Sequence, residues 1–279
     1  MKLGCSTILY GEYDLDKALD GIAKAGYAGI ELCARPGMAP HVEIGKPDRY
    51  YAEIRDKIVS RGLFIESLAG TDGISLDSDE FHRVLNAARL LGAPFIAEGA
   101  GGQAPAVEDE SFAPEYQDSL QSFLDILNKT AERAAEYGVR LTIKPHVGTA
   151  IYSTESILQA MQGVDREWVG INYDPSHIWR SGPEADPVDT LDKVKEYIFT
   201  MRIRDNRASH ERPIGSVEDQ IPGQGAMDLP AIAALMKTVK QAPCATLEIV
   251  GTHGGKGWAL EDIQDVVERA FAYLKPLFD

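Results

Sequence analysis

The chain of 279 residues predicts a single (β/α)8 TIM barrel spanning 1–279. Three observations carry that expectation. Short β-rich runs alternate with helix-period runs from end to end, eight such units can be counted, and no Ser-, Gly- or Pro-rich tract divides them. The composition is ordinary for a globular protein, 44% hydrophobic and 25% charged. A chain of this size buries its core without needing disulfides or a structural metal.

The units follow in order. "KLGCSTI" (2–8) is the first strand. In the next segment Leu15, Ala18, Leu19 and Ile22 share one helical face, and Gly26 is the stop signal. Strands two to four are "GIELCA" (29–34), "LFIESLAG" (63–70) and "PFIAEGA" (94–100). "SFLDILNKTAERAAEYG" (122–138) is a second clear helix ending on glycine. Strands five to seven are "RLTIKPH" (140–146), "WVGINYD" (168–174) and "IFTMRIRD" (198–205). A long irregular stretch, 206–227, precedes the last unit, and loops of that length are functional or mobile. "CATLEIV" (244–250) is strand eight, and "EDIQDVVERAFAYLKPLF" (261–278) closes the ring. An open doubly wound sheet is the runner-up, disfavoured by eight regular strands without a nucleotide fingerprint.

The formal charge of −15 argues against nucleic acid and anionic membrane surfaces as partners, since both reward basic footprints. An anionic small substrate remains open, because a local basic pocket overrules net charge. No apolar run approaches a membrane span. The opening "MKLGCSTILYGEYD" is too short in apolar residues for a signal peptide and turns acidic at once, so a cytoplasmic protein is expected. Cys5, Cys33 and Cys244 form no Cys-x-x-Cys pair and read as buried small hydrophobes in a reducing compartment.

In a parallel barrel, chemistry gathers where strands end. Glu31 and Glu66 lie within strands two and three, and His41 in the second loop. Strand five ends on Lys144 and His146, strand six on Asp174 with His177 three residues on. Strand seven supplies Arg202, Arg204 and Asp205, followed by Arg207; strand eight supplies Glu248, then His253 and Lys256 in "GTHGGKG". Each has a plain structural alternative. Glu31 and Glu66 can point into the helix layer, His41 and His253 can be solvated, and one of Arg202 and Arg204 is expected to face outward in a salt bridge. Lys144, Asp174, Arg202 and Glu248, at the ends of four consecutive strands, are expected to converge. "GAGGQA" (99–104) matches Gly-x-Gly-x-x-Ala, but Pro105 and an acidic loop follow instead of a helix. "GTHGGKG" lacks the Ser or Thr of a P-loop, yet it follows the strand after which barrels often hold a phosphate.

With "INYDPSH", "RIRDNR", "PGQGAMDLP" and "LEIV" in this order, the chain resembles the xylose isomerase-like barrels along essentially its whole length. These include sugar and sugar-phosphate isomerases and epimerases, inosose dehydratases and hydroxypyruvate isomerases. The resemblance implies a divalent metal held by Glu, Asp, His and Glu on strands five to eight. Asp174 and Glu248 match two of those positions, but Lys144 stands for the first glutamate and Arg202 for the histidine. The resemblance makes His177 and Arg207 substrate contacts, and it makes Glu248 the acid/base carboxylate.

A protonated lysine and an arginine offer a metal no lone pair. Charges ~4 Å apart interact by about 4 kcal/mol at an effective dielectric near 20, so a divalent ion beside one such cation meets about 8 kcal/mol of repulsion. The expectation is therefore no cofactor, with a divalent Mn, Mg or Zn ion entering only if the replaced positions are compensated. Lys144, Asp174, Arg202 and Glu248 are the expected catalytic set. His177, Arg207, His146, His41, Glu31 and Lys256 are the expected substrate contacts. The expected partner is a small sugar or keto-polyol, and such barrels also form homo-oligomers. Three functions stay open: isomerase or epimerase, dehydratase by the same enolate chemistry, or a non-catalytic descendant that binds a sugar or supports a partner subunit.

Overall fold

The structure, a computed structural model, describes residues 1–70, 75–104, 114–182, 184–207 and 213–279. Its strands are β1 (Lys2–Ser6), β2 (Gly29–Arg35), β3 (Ala39–Pro40), β4 (Phe64–Ala69), β5 (Phe95–Gly99), β6 (Arg140–Lys144), β7 (Val169–Tyr173), β8 (Ile198–Ile203) and β9 (Cys244–Leu247). All but β3 form a parallel ring in chain order, closed because β1 pairs with both β2 and β9. The two-residue β3 pairs antiparallel with the end of β2, outside the ring. The expected eight-stranded barrel is what the chain builds.

The helices α1 (Leu15–Ala25), α2 (Asp48–Ser60), α3 (Phe81–Leu91), α4 (Pro114–Tyr137) and α5 (Thr154–Gln162) surround the first half. The second half carries α6 (Pro175–Trp179), α7 (Pro187–Val194), α8 (Val217–Gln220), α9 (Leu229–Met236) and α10 (Leu260–Phe278). α1 starts where the Asp14 carboxylate accepts from the Lys17 N–H at 2.9 Å and stops at Gly26, whose φ of 103° suits glycine. α4 begins well before residue 122, since Tyr116 and Leu120 extend its buried stripe. α8 lies inside the 206–227 stretch; residues 208–212 of that stretch, and the acidic loop after Ala104, fall outside the described residues.

Except for β2, which runs one residue past its predicted end, the ladders stop short of the apolar runs that announced them. β6 ends at Lys144 because Pro145 has no N–H to give. The residues beyond each ladder then line the mouth of the barrel. Outward-facing Ile30, Leu32, Ile143, Ile171, Ile203 and Leu247 are buried against the helices. The middle of the ring interior is polar instead: Thr142 and Thr200 share a hydrogen bond of 3.0 Å, and Thr246 donates to Glu66 at 3.0 Å. Gly170 is glycine for want of room, since a Cβ there would sit 2.4 Å from the Phe199 ring. Register shifts fall between Ile30 and Glu31 and between Ile171 and Asn172, and such bulges re-aim the side chains that follow. All three cysteines are free and buried, as expected. Among the described residues no helix is long and apolar enough to cross a membrane.

Candidate active site

The corner between β7 and α6 is fixed first. Asp174 caps α6 by accepting from the N–H and hydroxyl of Ser176, at 2.9 and 2.7 Å, and Pro175 starts the helix without an N–H to orphan. The other oxygen of Asp174 accepts from Arg204 Nη2 at 2.8 Å. Arg204 spends its fork fully: Nε donates to Ser176 Oγ at 2.7 Å, Nη1 to the Glu248 carbonyl at 3.3 Å and Nη2 also to His177 Nε2 at 3.2 Å. An arginine only donates, so His177 Nε2 accepts and its proton sits on Nδ1. Burial pushes the Asp174 carboxyl up, but the Arg204 and Lys144 charges hold it well below the usual carboxylate range. Burial also drives the His177 pKa far down; Asp174 opposes, Arg204 reinforces, and the ring stays neutral. The His146 ring lies against it, centroids 4.1 Å apart, with Nδ1 donating to the Val147 carbonyl at 2.8 Å.

One layer deeper, Arg202 is wholly buried among three carboxylates. It bonds Glu31, meets Glu66 at 2.8 Å, and its Nε lies 3.5 Å from Glu248. Burial of this guanidinium is offset by Glu31, Glu66 and Glu248, which hold it firmly charged. Glu66 lies completely inside, and burial raises its pKa despite Arg202.

Glu248 joins the layers by a direct ion pair with Lys144. Burial pushes its carboxyl up; Lys144, Arg204 and Arg202 outweigh that and bring it down to about 2. Lys144 and Glu248 keep 15% and 10% of their side-chain surfaces open, whereas Asp174 and Arg202 keep none. The pair therefore faces a cavity of about 710 Å³, ample for a small ligand.

Of the expected residues, Glu31, Lys144, His146, His177, Glu248 and Lys256 line this cavity. Asp174 and Arg202 stand behind its wall, where Asp174 pairs with Arg204 and Arg202 lies against Glu248. Of the four strand-end residues expected to converge on one pocket, only Lys144 and Glu248 line it. His41 is buried elsewhere, bonded to Thr7 at 3.0 Å and to the Tyr13 carbonyl at 3.1 Å. Arg207 is exposed and is not among the cavity-lining residues. The expectation that Arg202 or Arg204 faces outward is wrong: both are buried on the inner side. Residues two apart on a strand share a face, so the spacing itself held the answer. Glu31 and Glu66 likewise turn into the ring, not into the helix layer. Arg180 and Asn172 also line the cavity, and neither carried a sequence signal.

The residues present do not fit a divalent metal. Asp174 and Glu248 survive as oxygen donors, but each is engaged by a permanent cation, Arg204 or Lys144. Among the described residues no group of three His, Cys, Asp or Glu side chains is arranged to hold an ion.

Comparisons with known proteins agree with this architecture. The model of a family described as Xylose isomerase-like TIM barrel matches residues 19–276. The inosose isomerase of Bacillus subtilis (strain 168) is 26% identical over 205 residues, 69% of this chain and 69% of that protein. The rhizopine catabolism protein MocC of Rhizobium meliloti is 26% identical over 277 residues, 92% of this chain and 76% of that protein. Among solved structures, the probable 3-DHS dehydratase AsbF from Bacillus anthracis superposes with a TM-score of 0.75 at 19% identity over 99% of each chain, a likeness of fold.

Proposed function

Because the chain belongs to the xylose isomerase-like TIM barrel family, we propose that it is an isomerase or epimerase of a sugar or keto-polyol, working without a divalent metal. The observation that carries this reading is the Lys144–Glu248 ion pair at the cavity wall. Proton removal next to a carbonyl needs a base and a cation to hold the oxygen as it becomes an enolate. Glu248 is the base and Lys144 the cation. A substrate carbonyl draws the ammonium toward itself. As that contact loosens, Glu248 loses the strongest charge holding its pKa down and becomes more basic where the proton must be taken. Arg204 and Arg202 keep Asp174 and Glu248 in place throughout. His146 and His177, both held neutral by burial, are the cavity-side groups that hydrogen-bond hydroxyls, and the protonated Glu248 returns its proton to complete the isomerisation.

The same enolate loses a hydroxyl on its neighbouring carbon in a dehydratase, and the inosose dehydratase of Geobacillus thermodenitrificans is 26% identical over 255 residues. Solvent exchange followed by product analysis separates the two. Incubated in D₂O with keto-sugars and keto-inositols after chelator treatment, the protein is expected to place deuterium next to the carbonyl. Lys144→Met and Glu248→Gln each lower that rate by about 10²–10⁴-fold. Stoichiometric Mn²⁺ or Zn²⁺, with activity lost on chelation, overturns metal independence. Absence of exchange with every candidate leaves a sugar-binding descendant.

A further inference from the structure

We infer that Asn172 is a specificity-determining residue: its side-chain amide binds a substrate hydroxyl on a carbon next to the carbonyl. This rests on the cavity being the substrate site proposed above.

The first ground is an amide with nothing in the protein to bond. Asn172 is 1% exposed, and among the described residues neither its Oδ1 nor its Nδ2 has a hydrogen-bond partner. Native interiors avoid leaving a whole amide unpaired. The polar groups around it are already committed. The register of β7 on β8 sets Asn172 opposite Thr200, whose hydroxyl pairs with that of Thr142 at 3.0 Å. Asp174, two residues on, is held by Ser176 and Arg204. Lys144 is paired with Glu248. The unpaired amide lines the cavity, so a ligand there is what it can bond.

The second ground is its place. β6 and β7 run in step, Leu141 with Val169, Thr142 with Gly170 and Ile143 with Ile171. The next residue on each chain is Lys144 and Asn172, and both line the cavity. Lys144 is the cation assigned to the carbonyl oxygen, so the group beside it meets the neighbouring carbon.

The third ground is chemistry. A side-chain amide offers an acceptor oxygen and two N–H donors. A hydroxyl both donates and accepts, so it satisfies either end of the amide. A carboxylate only accepts and would set its charge against Oδ1. A bare methylene leaves the amide unpaired, which is how a site built for a hydroxyl rejects the deoxy analogue.

The test pairs Asn172→Leu, which keeps the branched outline without the amide, with Asn172→Ala, which cannot crowd the cavity. Deuterium exchange is measured on D-fructose, a keto-inositol, and their analogues deoxygenated at either carbon flanking the carbonyl. Calorimetry follows hexitols and inositols, which lack the carbonyl and do not turn over. The wild type is expected to prefer the hydroxylated ketone by at least about 10²-fold in kcat/KM, and both variants to lose most of that preference. Polyol binding should weaken roughly tenfold. The urea midpoint of Asn172→Leu should hold or rise, because an unpaired buried amide is gone; a purely structural amide would lower it. Variants that keep the wild-type preference, or a wild type with none, overturn the inference. Exchange that ignores the deoxygenation leaves the proposed reaction standing without this role for Asn172. Polyol binding that depends on Asn172, beside no exchange, does the reverse. Silence in both assays overturns both.

Discussion

Arg202 and Arg204 divide between them work that the sequence assigned to one residue. Arg204 faces the cavity and holds Asp174, Ser176 and His177, while Arg202 sits below with Glu31, Glu66 and Glu248. Removing one partner from a buried charge network leaves the others uncompensated. Arg202→Met is therefore expected to destabilise the fold by about 3–5 kcal/mol, read from urea unfolding. Glu66→Gln is the control. One Glu66 oxygen is buried without a partner and burial already raises its pKa, so an uncharged amide there costs much less. Equal losses in the two variants would refute this ordering. The polar residues at the strand ends were legible, because strand alternation and the barrel rule place them together. Their pairing was not, since it depends on which of several carboxylates each cation can reach across the ring.

The β7–α6 corner shows the same split. "DPSH" spells a cap, a first-turn proline and a histidine one turn on, and the helix forms where those signals fall. The register shifts beside Glu31 and Asn172 had no such signature, because a shift arises from pairing between strands distant in sequence. Asp174 serves the corner twice, as helix cap and as counter-charge to Arg204, and the two roles separate by substitution. Asp174→Asn retains an oxygen for the Ser176 N–H, whereas Asp174→Ala loses the cap at a cost of about 0.5–2 kcal/mol. Asparagine is thus expected to fold more stably than alanine, while both lose proton-exchange activity because neither neutralises Arg204. The neutral asparagine also removes the charge that opposes the fall in the His177 pKa, which a histidine titration by NMR would register. Full activity in Asp174→Asn would show that only the cap matters.

Acid sensitivity joins these buried groups to the stability of the barrel as a whole. His41, His146, His177 and His253 all have pKa values lowered chiefly by burial. The unfolded chain therefore takes up protons first as pH falls through about 6.5, and stability declines from there. Asp174 and Glu248 act next. Their folded pKa values are depressed, so their contribution is complete above the unfolded value of about 4 and is lost as pH falls toward the folded ones. Glu66 has the opposite sign: its raised pKa favours the folded state at low pH, a gain lost as pH rises through the folded value. The surface opposes the decline too, because a net charge of −15 repels itself less as carboxylates protonate. Salt separates these contributions. Screening removes the surface repulsion and leaves the buried groups largely untouched. The urea midpoint is thus expected to drop between neutral pH and about pH 5, and the drop should persist at high ionic strength. A flat profile in that window, at both low and high salt, would mean that the histidines are not held neutral inside the folded barrel.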